Sequence, residues 1–190
     1  MQRRVTPDRY LSDGELAAFM DAVRARRHKN QPRDHALFAL LVNTGMRPSE
    51  ALALRWSDVR LEGGAAVVMI VRRKKRTEAQ PEAVVLGPET TAALAAHRGA
   101  GAQEDARVFR VDRRRAQRLF KAYAAAARVR PHLWLYCLRH TAATRMYVRT
   151  RSIEMVRALL GHESADTSCI YAHIPADLMR ATVRAVPPIV

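Results

Sequence analysis

The alternation of apolar and polar positions predicts a helix near the start of the chain. Ser12 and Glu15 form a capping box, and Leu16, Phe19, Met20 and Val23 follow at i, i+3, i+4 and i+7. That pattern carries the helix to about residue 27. Residues 26–33 are polar, contain Pro32 and read as a loop. Asp34 then precedes a helix over 36–43 that is apolar nearly all round, the pattern of a deeply buried helix. Gly45 is placed to cap its C-terminus. Pro48 suits the first turn of the next helix, 48–54, which Trp56, Ser57 and Asp58 bring to an end.

From Val59 to Leu86 the period shortens. Gly63 and Gly64 make a turn, 66–71 reads as a strand, and 83–86 as another after a charged connection, which together describe a small antiparallel sheet with a basic loop. Residues 90–97 look helical and 99–105 form a surface loop. Asp112 caps a long helix to about residue 129, which carries Arg113, Arg114, Arg115, Arg118 and Lys121. Further helices start at Leu138, at Ser152 (ending at Gly161), around 167–171, and over 175–185, the last stopped by Pro187 and Pro188. The fold class is therefore α+β, mainly α-helical with one small antiparallel sheet, in a single domain without internal repeats.

Composition narrows the partners. The 190 residues are nearly half hydrophobic, so a packed core forms and general disorder is excluded. Formal net charge is +15, and all but four of the 33 basic residues are Arg, the exceptions being Lys29, Lys74, Lys75 and Lys121. The planar guanidinium of Arg suits bidentate contacts with phosphate, so the charge points to nucleic acid. A membrane surface fits less well, because no long apolar span or lipidation signal accompanies the charge. Cys137 and Cys169 stand far apart without metal-ligand spacing, and no signal peptide opens the chain. Two reduced thiols, no metal site and a cytoplasmic, DNA-associated location are expected.

Two stretches carry chemistry. Arg47 lies where a helix begins, so free N–H groups and an Arg share one potential anion site, with Glu50 at i+3 able to orient the guanidinium. Farther on come Leu138, Arg139, His140 and Thr141, then Leu160, Gly161 and His162, then Ile170 and Tyr171. Tyr can attack phosphorus and hold it covalently, Arg can grip its oxygens, and His can hydrogen-bond it or move a proton. His140 reads as a buried hydrogen-bonding residue. The best DNA-backbone candidates are Arg72, Arg73 and Arg76 in the basic loop and Arg113, Arg114, Arg118 and Lys121 on the long helix.

The run Thr44, Gly45, Met46, Arg47, Pro48, Ser49, Glu50, with Leu52, Leu54, Trp56 and Asp58, resembles the first box of the tyrosine recombinase (phage integrase) family. Residues 138–144, 159–163 and 170–171 resemble its second box, and the likeness spans about 11–171. It implies the tyrosine-recombinase catalytic-domain fold. It also implies that Arg47 and Arg139 bind the non-bridging oxygens of a scissile phosphate while Tyr171 attacks, leaving a 3′-phosphotyrosyl link and a 5′-hydroxyl. His162 would hydrogen-bond the phosphate. A hairpin lysine would protonate the leaving oxygen; the basic run favours Lys75, with Lys74 the alternative. Tyr136 stands where the family most often has His, and a phenol hydrogen-bonds phosphate but is a poor general base at neutral pH.

Because the ester keeps the bond energy, the likeness implies no ATP, metal or other cofactor. The implied activity is site-specific recombination of double-stranded DNA, by a homo-tetramer on synapsed DNA and a monomer in isolation. Type IB topoisomerase-like relaxation and a non-catalytic DNA-binding remnant are the alternatives. The whole chain, 1–190, is expected to be one catalytic domain: 1–10 an extension, 174–190 a tail helix, and the family's N-terminal DNA-binding domain absent.

Overall fold

The computed structural model describes residues 6–62, 65–71, 81–99 and 102–161. After a 3-10 turn, Pro7–Arg9, come α1 (Asp13–Ala25), α2 (Gln31–Thr44) and α3 (Pro48–Ala53), a second 3-10 turn, Trp56–Asp58, and strands β1 (Val59–Glu62), β2 (Ala65–Val71) and β3 (Pro81–Leu86). Helices α4 (Pro88–Arg98), α5 (Arg113–Ala126), α6 (Cys137–Thr150) and α7 (Ile153–Leu160) follow. The expected mostly helical α+β fold is present.

Helix α2 is its axis. Residues Ala36, Leu37, Phe38, Ala39, Leu40 and Leu41 are at most 1 % exposed, and α1, α3, α4 and α6 pack around them. The all-round apolar pattern predicted this burial. The predicted start did not hold: α2 begins at Gln31, with Pro32 in its first turn, where the missing N–H has no helical partner to lose. Asp34 therefore lies inside the helix and is fully buried. Its carboxylate accepts from Arg33 Nε at 2.9 Å, from Arg33 Nη2 at 2.6 Å and from the Tyr123 hydroxyl at 2.8 Å. Phe19, Phe38, Phe120 and Tyr123 pack around this pair, largely edge to face, with Phe19 and Phe38 centroids 5.1 Å apart, and lock α1 and α5 onto α2.

The sheet is antiparallel in the order β1-β2-β3, with Val59 opposite Val68 and Val68 opposite Val84. Ala66, Val68 and Ile70 face the core, as strand alternation requires. Strand β3 starts two residues earlier than predicted, at Pro81, which sits at a strand end where no ladder donor is needed. Helix α5 begins at its Asp112 cap, whose Oδ1 accepts from Arg115 N at 2.6 Å. It stops at Ala126, short of the expected 129, because the chain turns through a positive φ of 54° at Arg128. Among the described residues no helix is long and apolar enough to cross a membrane.

The predicted capping box on α1 is formed in both directions and gains a partner from far along the chain. Arg130 donates to Glu15 through Nε at 2.7 Å and Nη2 at 2.8 Å, and also to the carbonyls of Pro7 and Tyr10. Burial alone would raise the Glu15 carboxyl, but hydrogen bonds from Arg130 and the Ser12 backbone outweigh it and hold it at about 2, against an ordinary 4.5. A depressed carboxyl contributes stability above its unfolded value and loses it as pH falls through the folded one. Glu15→Gln keeps the capping geometry and removes the charge, so it should cost on the order of 2 kcal/mol at neutral pH after allowance for solvent screening. Urea unfolding of the two proteins should show that gap at pH 7 and its closure between pH 4.5 and about 2.

Candidate functional site

Arg47 is the N-cap of α3, one residue before Pro48. Its backbone N–H donates to Glu50 Oε2 at 2.7 Å and its Nη1 to Glu50 Oε1 at 2.8 Å. One carboxylate thus fixes both the turn and the direction of the guanidinium, whose side chain remains 39 % exposed. The ion pair expected from the i, i+3 spacing is formed.

Arg139 lies in the first turn of α6 and is only 2 % exposed. Its Nη1 donates to the Gly45 carbonyl at 2.6 Å and its Nη2 to the Leu160 carbonyl at 3.1 Å. Gly45 is the cap of α2 and Leu160 the last residue of α7, so one side chain joins the C-terminal ends of two helices to the start of a third. Gly45 stands only two positions before Arg47. The two motif arginines, distant in sequence, are therefore linked through a single short turn.

That turn has room only for glycine. Gly45 has φ +63°, and a Cβ there would meet Leu160 Cδ2 at 2.9 Å and Ala142 Cβ at 3.4 Å. Leu160 is completely buried and has nowhere to swing. Thr44 closes the helix end by donating from Oγ1 to the Leu40 carbonyl at 2.6 Å.

Tyr136 is the N-cap of α6, is 44 % exposed and meets His140 edge to face at 5.4 Å between centroids. Burial, and then the charges of Arg9 and Arg139, bring His140 down to about 4, so its imidazole is neutral at physiological pH. Tyr136 and Arg47 share a cleft of about 320 Å³ with Pro48, Ser49, Arg113, Gln117, Trp134 and Leu135. Arg47, Arg113 and the phenol give it cationic and hydrogen-bonding walls suited to a phosphate. Sequence reasoning missed Gln117 and Trp134 here. The only available signal was the alternation of residues 133–137, which reads equally well as packing. A larger groove of about 530 Å³ beside α1 and α6, floored by Leu16, Met20 and Val42, contains none of the expected site residues.

Among the helix-borne backbone candidates, Arg113, Arg114 and Arg118 are exposed on α5, and Arg113 lines the cleft. Lys121 is engaged within the protein: its ammonium lies 4.7 Å from the Trp134 ring centroid and donates to the Pro131 carbonyl. His132 donates from Nε2 to the Asp8 carbonyl at 2.9 Å. Cys137 is a free, buried thiol that burial pushes up to about 12. His162, Tyr171, Lys74, Lys75, Arg72, Arg73 and Arg76 lie outside the described residues, as do Cys169 and the tail helix expected over 174–190. No group of three or more His, Cys, Asp or Glu side chains among the described residues could hold a metal ion.

The helical frame with its three-stranded sheet, and two arginines joined at one helix junction, describe a known class of catalytic domain. The phage integrase family model matches residues 9–177, and the chain belongs to that family. Among curated proteins it is 31 % identical over 193 residues to tyrosine recombinase XerS of Streptococcus equi subsp. zooepidemicus, an alignment covering 88 % of this chain and 52 % of the relative. It is 32 % identical over 149 residues to tyrosine recombinase XerC of Xanthomonas campestris pv. campestris, covering 75 % and 44 %. The chain thus spans about half the length of the curated relatives it matches. Among solved structures, the XerH site-specific recombinase bound to palindromic difH substrate superposes with a TM-score of 0.76 at 25 % identity, covering 93 % of this chain and 52 % of that one.

The Gly45 junction makes a sharp prediction. Gly45→Ala should destabilise the protein by roughly 2 kcal/mol or more, from the left-handed backbone and from overpacking against Leu160. Thermal unfolding measures this; an unchanged midpoint would show that the junction has slack.

Proposed function

We propose that the chain cleaves and rejoins double-stranded DNA through a 3′-phosphotyrosyl intermediate on Tyr171, and so carries out site-specific recombination. The observation that carries this reading is the Arg139 bond to Gly45, which joins the two arginine-bearing motifs beside a cationic cleft.

In this reading Arg47 and Arg139 hold the non-bridging oxygens and stabilise the charge of the pentacoordinate transition state. Glu50 keeps Arg47 aimed, and neutral His140 supports Tyr136, which hydrogen-bonds the phosphate. The Tyr171 oxygen attacks phosphorus as its phenol proton passes to water, the bond to the 5′-oxygen breaks, and Lys75 (alternatively Lys74) gives that oxygen a proton and regains one from water. His162 hydrogen-bonds the phosphate. Rejoining reverses the step: a 5′-hydroxyl attacks the phosphotyrosine and releases the enzyme, with the ester energy conserved throughout. Arg72, Arg73, Arg76, Arg113, Arg114 and Arg118 contact the DNA backbone, which contributes affinity without much sequence choice. The 190 residues act as one catalytic domain, in the cytoplasm of a prokaryote or phage host, and assemble as a tetramer on synapsed DNA.

A nicked suicide duplex carrying the recombination site tests the central step. A covalent protein–DNA adduct should form and should vanish in Tyr171→Phe. DNA that is bound yet never yields an adduct would overturn the enzyme reading. Strand exchange between two duplexes, rather than relaxation of a supercoil, separates recombination from topoisomerase-like activity. Lys75→Ala should slow cleavage, and a 5′-thio leaving group, which departs without a proton, should restore it. Rescue of Lys74→Ala alone would transfer the role to Lys74.

A further inference from the structure

The segment between α5 and α6 is held far more firmly than a connecting loop requires. Arg130 is bonded to Glu15, His132 to the Asp8 carbonyl and Lys121 to the Pro131 carbonyl, while Gln117 Oε1 accepts from Leu135 N at 3.0 Å. Leu133 and Leu135 are buried at 3 % exposure each, so the alternation turns Trp134 outward, where it is 62 % exposed. The Lys121 ammonium lies over one face of the indole, 4.7 Å from the ring centroid, and the rest of the ring stays open to solvent.

We propose that Trp134 is a nucleotide-stacking residue: its indole receives an unpaired base of the DNA strand beside the phosphate held at Arg47. The inference rests on the proposed function, because it takes the cleft to be the place where DNA is bound. Three observations carry it. Trp134 lines the same cleft as Arg47 and Arg113, so a strand whose phosphates sit on those arginines brings a base to the indole. The cleft's cations, Arg47 and Arg113, complement a polyanion. Gln117 stiffens the same wall, its Oε1 accepting from the Leu135 N–H at 3.0 Å. Bases inside a paired duplex already stack on each other, so the platform serves one released where strands are opened for exchange. Every base has an aromatic face, so the contact strengthens binding without choosing sequence.

Tryptophan emission tests this directly, because Trp56, the other tryptophan, is buried at 4 % exposure. The protein is titrated with a fully paired duplex and with the same duplex carrying a short single-stranded gap. Emission should be quenched strongly by the gapped duplex and weakly by the paired one, and the difference should disappear in Trp134→Phe. Trp134→Ala should weaken binding of the gapped duplex roughly ten-fold, with Trp134→Phe close to the unaltered protein. Affinity for the paired duplex should not change. Equal quenching by both duplexes, or a Trp134→Ala variant that binds the gapped duplex normally, overturns the stacking role and leaves the recombinase reading standing. Failure of the unaltered protein to bind either duplex overturns both.

Discussion

Much of this structure turns on one buried cation. The Arg139 guanidinium sits at 2 % exposure, and removing such a charge from water costs several kcal/mol unless the protein surrounds it with acceptors. The carbonyls of Gly45 and Leu160 do this, and both lie at helix C-termini, where the aligned peptide dipoles concentrate negative potential. Arg139 itself stands in the first turn of α6, an end that favours anions. Two negative helix ends therefore hold a cation beside a positive one. The arrangement suits a site that must stay folded when empty and still welcome a phosphate.

The geometry around that cation follows from a few small choices. Gly45 supplies the left-handed turn and the absence of a side chain that lets α7 approach α2. Two residues later Arg47 emerges at the start of α3 and is aimed by Glu50. On the opposite wall, the segment anchored by Arg130, His132 and Gln117 presents Trp134 and Tyr136. The cleft is thus built from rigid pieces contributed by α3, α5 and the loop before α6. Preorganisation of this kind lets hydrogen-bond donors stabilise developing charge without first rearranging.

Local patterns in the sequence announced most of the frame. The capping box at Ser12 and Glu15, the all-apolar run of α2, Gly45 as a cap and Asp112 at the head of α5 are each written in neighbouring residues, and each is present. The misses were of another kind. Pro32 looked like a breaker because its role in a first turn depends on where the helix begins. Asp34 read as lying just before the helix because its partner, Tyr123, is far away in sequence. Arg47, Arg139 and Tyr136 were legible through the motif, yet the burial of Arg139 and its bonds to two helix ends were not. Gln117 and Trp134 had no motif to announce them; only the folded loop brings them to Arg47.

The central claim is that Arg139 ties the turn before Arg47 to the end of α7 and so makes one site of two motifs. Amide hydrogen exchange in Arg139→Lys tests it most directly, because one ammonium lacks the planar fork that reaches both carbonyls. Exchange should accelerate across 44–48 and 153–161 while α1 and α5 keep their protection. Unchanged protection in both segments would contradict the account.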